Sequence, residues 1–258
     1  MQQLRSIHAL AASAAISVVT ACGTAAPASL AHAEQVAGSC PAGSRVAALV
    51  QSDESGTSRG ATASPARQSV IREVAERTAI CGGHLRVTLF SGSMIGITVF
   101  DGDLQLDGAT DNARLRKAPK VIDGVMDQLN AELPDATAQL TDGATDIVGQ
   151  YQHGSDYQAQ FAASGNVHLE QTILTDGIQT ASQDLSNTDL TDAEATTLAA
   201  TFAVPRLSDT QVRLIGIGRQ ADDAPLPTPY IDALRAFHRA VCQRTGAQCT
   251  VVTDAAGA

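Results

Sequence analysis

From Arg45 onward the chain alternates two hydrophobic rhythms. Short apolar runs suit strands buried on both faces, and the longer stretches between them carry apolar side chains three and four apart, the spacing of a helix face. "RVAALVQS", "HLRVTLFSG", "GITVFDGDLQL", "NVHLEQTILTDG", "QVRLIGIGR" and "CTVVTD" read as six strands. The second and third are only a few residues apart, across Gly96, and are expected to pair antiparallel; helices separate the others, which are expected to run parallel.

Helix signals fill the gaps. Ser64 as N-cap and Pro65 in the first turn open a helix with Val70, Ile71 and Val74 on one face, and Gly82 and Gly83 stop it. Between Pro119 and Pro134, Val121, Val125, Leu129 and Leu133 recur every fourth residue, and a weaker helix is expected from about Thr145 to Ala163. Thr191 and Glu194 are spaced as a capping box. Thr228 and Pro229 open a last helix with Tyr230, Leu234, Phe237 and Val241 on its apolar face. The pattern predicts a doubly wound α/β domain over residues 44–258, its mostly parallel sheet carrying one antiparallel edge strand and helices on both faces.

The N-terminus points to export. Arg5 precedes a small apolar run from Ala9 to Ala21, too short for a lasting membrane span. "VTAC" reads as a lipobox, so residues 1–21 are expected to be a signal peptide and Cys22 the lipidated residue. "LAHA", ending at Ala33, is the competing cleavage point and would yield a soluble secreted protein; the mass of the mature N-terminus separates the two. Residues 22–43 read as a linker rich in small residues.

Composition narrows the partners. With 27 acidic against 17 basic side chains, the chain is a poor ligand for nucleic acid, and it would meet a membrane only through its lipid anchor. Four further cysteines in an oxidising compartment predict two disulfides. The short loop "CQRTGAQC" favours Cys242 with Cys249, leaving Cys40 with Cys81, and the other connectivities stay open. Zinc is the rival reading, against which there is neither a C-x-x-C nor a nearby His pair.

Three loops at the carboxyl ends of strands, where open α/β sheets bind ligands, carry similar chemistry. Asp53, Ser55 and Thr57 leave the first strand in "DESGT", Thr145 sits in "TDGATD", and Asp176 ends the fourth strand in "LTDG". If the first and fourth strands are neighbours, these five side chains converge. Two carboxylates and three hydroxyls suit a hard cation: Mg²⁺ first, with Mn²⁺ or Ca²⁺ as alternatives.

These segments, in this order, resemble the von Willebrand factor A-type domain and its metal-ion-dependent adhesion site, whose pattern is Asp-x-Ser-x-Ser, then Thr, then Asp. The resemblance runs from Arg45 to about Cys249, with Thr57 standing where the family usually has Ser. It implies that Ser55, Thr57 and Thr145 touch the ion, that Asp53 and Asp176 act partly through water, and that an Asp or Glu carboxylate of a partner protein completes the coordination. The expected activity is then recognition and not catalysis.

Other candidates are weaker. Asp101 and Asp103 in "VFDGDLQ" are expected in a turn between paired strands. His153, His168 and His238 share no short spacing and read as satisfied or exposed. Ser55 lacks the G-x-S-x-G elbow of a nucleophile, "GIGRQ" is not a phosphate loop, and "DDAPLPTP" reads as a rigid loop. Two further readings stay open: an envelope lipoprotein that binds or turns over a small molecule, which would need a second lobe, and a structural scaffold whose site binds nothing.

Overall fold

Every residue of β1 (Arg45–Asp53) after Arg45 is buried, as expected for a strand covered on both faces. The computed structural model describes residues 30–92, 96–141, 143–161, 163, 165–222 and 225–254, so the signal-peptide and Cys22 expectations lie outside the described residues. The other strands are β2 (Gly83–Phe90), β3 (Ile97–Leu104), β4 (Val167–Leu174), β5 (Thr210–Ile215) and β6 (Gln248–Val252). They form one sheet in the order β3-β2-β1-β4-β5-β6, antiparallel only between β2 and β3. This is the expected doubly wound α/β fold, with β1 and β4 side by side.

Alternate side chains of β1 enter opposite cores. Val46, Ala48 and Val50 face helices α1 (Leu30–Gly38), α2 (Pro65–Cys81), α3 (Asp111–Leu115) and α4 (Ala118–Gln139). Ala47 and Leu49 face α5 (Gln150–Phe161), α6 (Asp192–Ala199) and α7 (Thr228–Thr245). The sequence signals act as capping chemistry requires: the Ser64 side chain accepts from Arg67 N, and Thr191 and Glu194 form a reciprocal capping box.

Four expectations need correction. Residues 30–38 of the expected linker form α1, which buries Ala33 and is tied to α2 by Cys40–Cys81 and by His32–Glu76 at 3.4 Å, so the folded unit begins before residue 44. Pro134 does not end its helix, because α4 runs through it to Gln139. Pro134 and Asn130 are both exposed, so the carbonyl that loses its intrahelical partner can turn to water while Leu133 and Ala136 continue the buried face. Asp101 and Asp103 lie within β3 rather than in a turn, where Asp101 pairs with Arg86 at 3.0 Å and Asp103 with Arg45. The helix expected from Thr145 starts at Gln150, leaving Thr145 in the preceding loop. The short helix α3 had no counterpart in the sequence pattern.

Both expected disulfides are present, Cys40–Cys81 and Cys242–Cys249. Among the described residues no helix is long and apolar enough to cross a membrane. The bridges close loops with separations of 41 and 7 residues, for which chain entropy gives about 4 and about 2 kcal/mol. In urea unfolding, the Cys40→Ser/Cys81→Ser protein should therefore be less stable than Cys242→Ser/Cys249→Ser; the reverse order would contradict the docking of α1 as a constraint on the fold.

Candidate metal centre

The adjacency of β1 and β4 brings the five expected side chains together. Asp53 Oδ1 accepts from Ser55 N at 2.9 Å and from Ser55 Oγ at 2.5 Å. Ser55 Oγ and Thr145 Oγ1 are 2.6 Å apart, although 90 residues separate them in the chain. Thr57 Oγ1 donates to Asp176 Oδ2. Asp53, Ser55, Thr145 and Asp176 are buried, and Thr57 is exposed at the opening.

Local structure explains the convergence. After β1 the chain enters a single 3₁₀ turn, Gly56–Ser58, which swings Ser55 and Thr57 over the strand end. Thr145 is held from two sides: its N–H donates to Thr180 Oγ1 at 2.7 Å, and its carbonyl accepts from Thr180 N and Ala181 N. Its loop also packs against the loop after β2, where a Cβ on Gly92 would lie 2.4 Å from Gly143 Cα. Asp176 lies two residues past β4, and its Oδ1 accepts from Ile178 N at 3.0 Å. Gly177 holds φ +87°, and a Cβ there would meet Ile217 at 2.9 Å.

Several supporting residues carried no pattern of their own in the sequence. Thr175 Oγ1 donates to Asp53 Oδ2 at 2.7 Å. Gln179 Oε1 accepts from Ile147 N and Val148 N, pinning the chain after Thr145. His238, fully buried on α7, places Nε2 2.8 Å from Gly177 O, its Nδ1 has no hydrogen-bond partner among the described residues, and burial pushes its pKa down to about 4. The expectation of a satisfied or exposed histidine thus holds for one of its nitrogens.

Charge is the most informative property of the site. Arg67 is buried on the first turn of α2; it donates to Asp53 O and to Ser52 and Ser58 hydroxyls, not to a carboxylate. Burial lowers its pKa, and Asp53, Glu54 and Asp176 oppose that shift. Glu54, also buried, accepts from Gly60 N and from Thr62 N at 2.9 Å. Three carboxylates thus share their surroundings with one guanidinium, an excess of two negative charges when all are ionised, which a divalent cation would balance. With only oxygen donors, the five side chains fit a hard ion. Among the described residues no group of three or more His, Cys, Asp or Glu is placed to hold a metal ion, and here three of the five donors are hydroxyls.

No protein-family model and no curated protein matches the chain. Solved structures similar to it at low identity include the following three. The ArnB paralog VWA2 from Sulfolobus acidocaldarius is 11% identical (TM-score 0.40), with 82% of this chain and 42% of that one covered. The conserved hypothetical protein BatB from Bacteroides thetaiotaomicron is 10% identical (TM-score 0.40), with 82% and 91% covered. A von Willebrand factor type A structure from Catenulispora acidiphila is 16% identical (TM-score 0.38), with 81% and 38% covered. The chain therefore spans less than half the length of the first and third. Likeness at this level adds nothing to the fold already visible in the strand order.

Burial, and secondly the charge of Asp176, push the Asp53 carboxyl up to about 6 from 3.8, against hydrogen bonds from Ser55 and the charge of Arg67. A folded-state value above the ordinary one means that the folded protein holds this proton where the unfolded chain has lost it. Stability therefore falls as pH rises from about 4 to 6, by an amount on the order of 2 kcal/mol. In chelator, Asp53→Asn should remove this component of the slope and exceed the wild type in stability above pH 6; an identical slope in the variant would refute the assignment.

Proposed function

We propose that this domain is an extracytoplasmic recognition domain that binds a partner protein through a divalent cation, Mg²⁺ first. Ser55, Thr57 and Thr145 would hold the ion, with Asp53 and Asp176 balancing its charge. The observation that carries this reading is the meeting of five oxygen-bearing side chains from three distant segments in a space with too few positive charges. The two disulfides fit a compartment outside the cytoplasm.

The ion, when bound, would offer a coordination position to a carboxylate of the partner. The chain supplies the rest. Asp53 is held by Ser55 and Thr175, Thr145 is held by Thr180, and Asp176 is fixed by Ile178 N, so the donors are ordered before any ligand arrives. The exposure of Thr57 leaves the opening on the side where a partner can approach. Nothing in this arrangement needs a nucleophile or a proton carrier, and the activity we assign is binding without turnover.

Thermal unfolding tests it. Mg²⁺ at a hundred times its dissociation constant should stabilise the wild type over EDTA by about 2.7 kcal/mol, a midpoint shift of roughly 5–10 °C. Thr145→Val and Asp53→Asn should abolish that shift while retaining cooperative unfolding in EDTA. No shift in the wild type, or an equal shift in all three proteins, would refute the reading.

A further inference from the structure

The chain carries a formal charge of −10, but the charges are not spread evenly over the fold. Because every strand except β3 runs parallel, the sheet has two distinct ends. The candidate metal centre lies at the carboxyl ends of the strands. At the amino ends lie the close of α2 and of α7, the turn from β3 into α3, and the start of α4. Six basic side chains, Arg116, Lys117, Lys120, Arg206, Arg239 and Arg244, are exposed and have no carboxylate partner among the described residues. All six belong to the amino end. The first three lie where α3 gives way to α4; Arg239 and Arg244 lie on the last two turns of α7, and Arg206 precedes Leu207, whose N–H donates to Thr245 O. Lys117 and Lys120 are the chain's only lysines.

The acids of the same end do not cancel this charge. Asp101, Asp103, Asp111 and Glu170 are paired with Arg86, Arg45, Arg114 and Arg77. Glu34, Asp107, Asp156 and Asp209 are exposed without a cationic partner among the described residues, so six bases face four acids. The molecule's negative excess lies at the other end, with Asp53, Glu54 and Asp176 in the metal centre and Asp184 and Asp189 in the loop after β4. Distance decides which charge a surface meets. The nine residues of β1 span about 30 Å, whereas exposed charge is screened over about 8 Å at physiological salt. At the amino end the nearby bases therefore outweigh the distant carboxylates.

The described chain also begins at this end. α1 crosses the last turns of α2, with His32 against Glu76, Ser39 accepting from Arg77, and Cys40 bridged to Cys81. Cys22, the residue expected to carry lipid, precedes Leu30 by eight positions, which reach at most about 28 Å. We propose that the amino end of the sheet is a membrane-facing surface, whose bases seat against anionic phospholipid headgroups and turn the metal centre away from the bilayer. A tether by itself lets either end approach the lipid; the separation of charge selects one. Basic segments next to a lipid anchor act on anionic bilayers in this way. The inference makes no use of the ion.

The test follows the reactivity of the two lysines. The chain from Cys22 onward, which holds every described residue, is coupled through the Cys22 thiol to a maleimide lipid, the other four cysteines being bridged. Thr188→Lys places a reporter lysine in the exposed loop at the opposite end. Acetylation by an uncharged ester is followed by mass spectrometry, in EDTA, on vesicles of phosphatidylcholine alone or with about one third phosphatidylglycerol. Relative to the reporter, Lys117 and Lys120 should react about fivefold more slowly on the anionic vesicles than on the neutral ones. About 1 M KCl should remove the difference. Arg116→Gln/Arg206→Gln/Arg239→Gln, which leaves both lysines in place, should remove it too. The proposal is overturned if both vesicles give the same ratio, if the reporter is the slowed residue, or if the triple variant keeps the protection.

Discussion

The excess of buried negative charge at the ends of β1 and β4 constrains everything around it. Placing carboxylates away from water is costly unless each finds donors or a counter-charge. Glu54 is satisfied by two backbone N–H groups, and Asp53 by Ser55 and Thr175, while Arg67 supplies the single positive charge beneath them. Hydrogen bonds order these groups without neutralising them. The raised pKa of Asp53 expresses the remaining imbalance, and a divalent cation is the simplest species that removes it.

The scaffold serves this arrangement through topology more than through any single contact. Because β4 returns to lie beside β1, the residue after Leu174 can hydrogen-bond the last residue of β1, which Thr175 does. Gln179 and Thr180 then carry the β4 loop across to the Thr145 loop, and His238 supports Gly177 from α7. Helices from both faces therefore reach the same end of the sheet: α2 through Arg67 and α7 through His238.

Much of this was legible in the sequence because the signals were local. Unbroken apolar runs marked buried strands, the Thr191 and Glu194 spacing marked a helix start, and a seven-residue separation marked a disulfide. The five site residues were legible as spaced motifs, but their convergence depended on β1 and β4 being neighbours, which no local pattern contains. The misses were tertiary in origin. Pro134 stays within a helix because its face of α4 is solvated, and α1 is helical where it packs on α2 although its composition suggested a linker. Asp101 pairs with Arg86 on the adjacent strand β2, and Asp103 with Arg45 on β1, one strand further into the sheet. Thr175, Gln179, Arg67 and Glu54 gain their roles only from partners far away in the chain or from buried backbone, so nothing in their neighbourhoods sets them apart.

Direct ion binding decides the central claim. Free Mn²⁺ gives an electron paramagnetic resonance signal that protein-bound Mn²⁺ largely loses, so titrating the protein with Mn²⁺ counts bound ions without any partner. The expected result is one ion per chain, displaced by Mg²⁺ and lost in a Thr145→Val/Asp176→Asn protein that keeps its disulfides and its cooperative unfolding. Mn²⁺ that stays free with the wild type, or binds equally well to the double variant, would contradict a metal centre built from these five side chains.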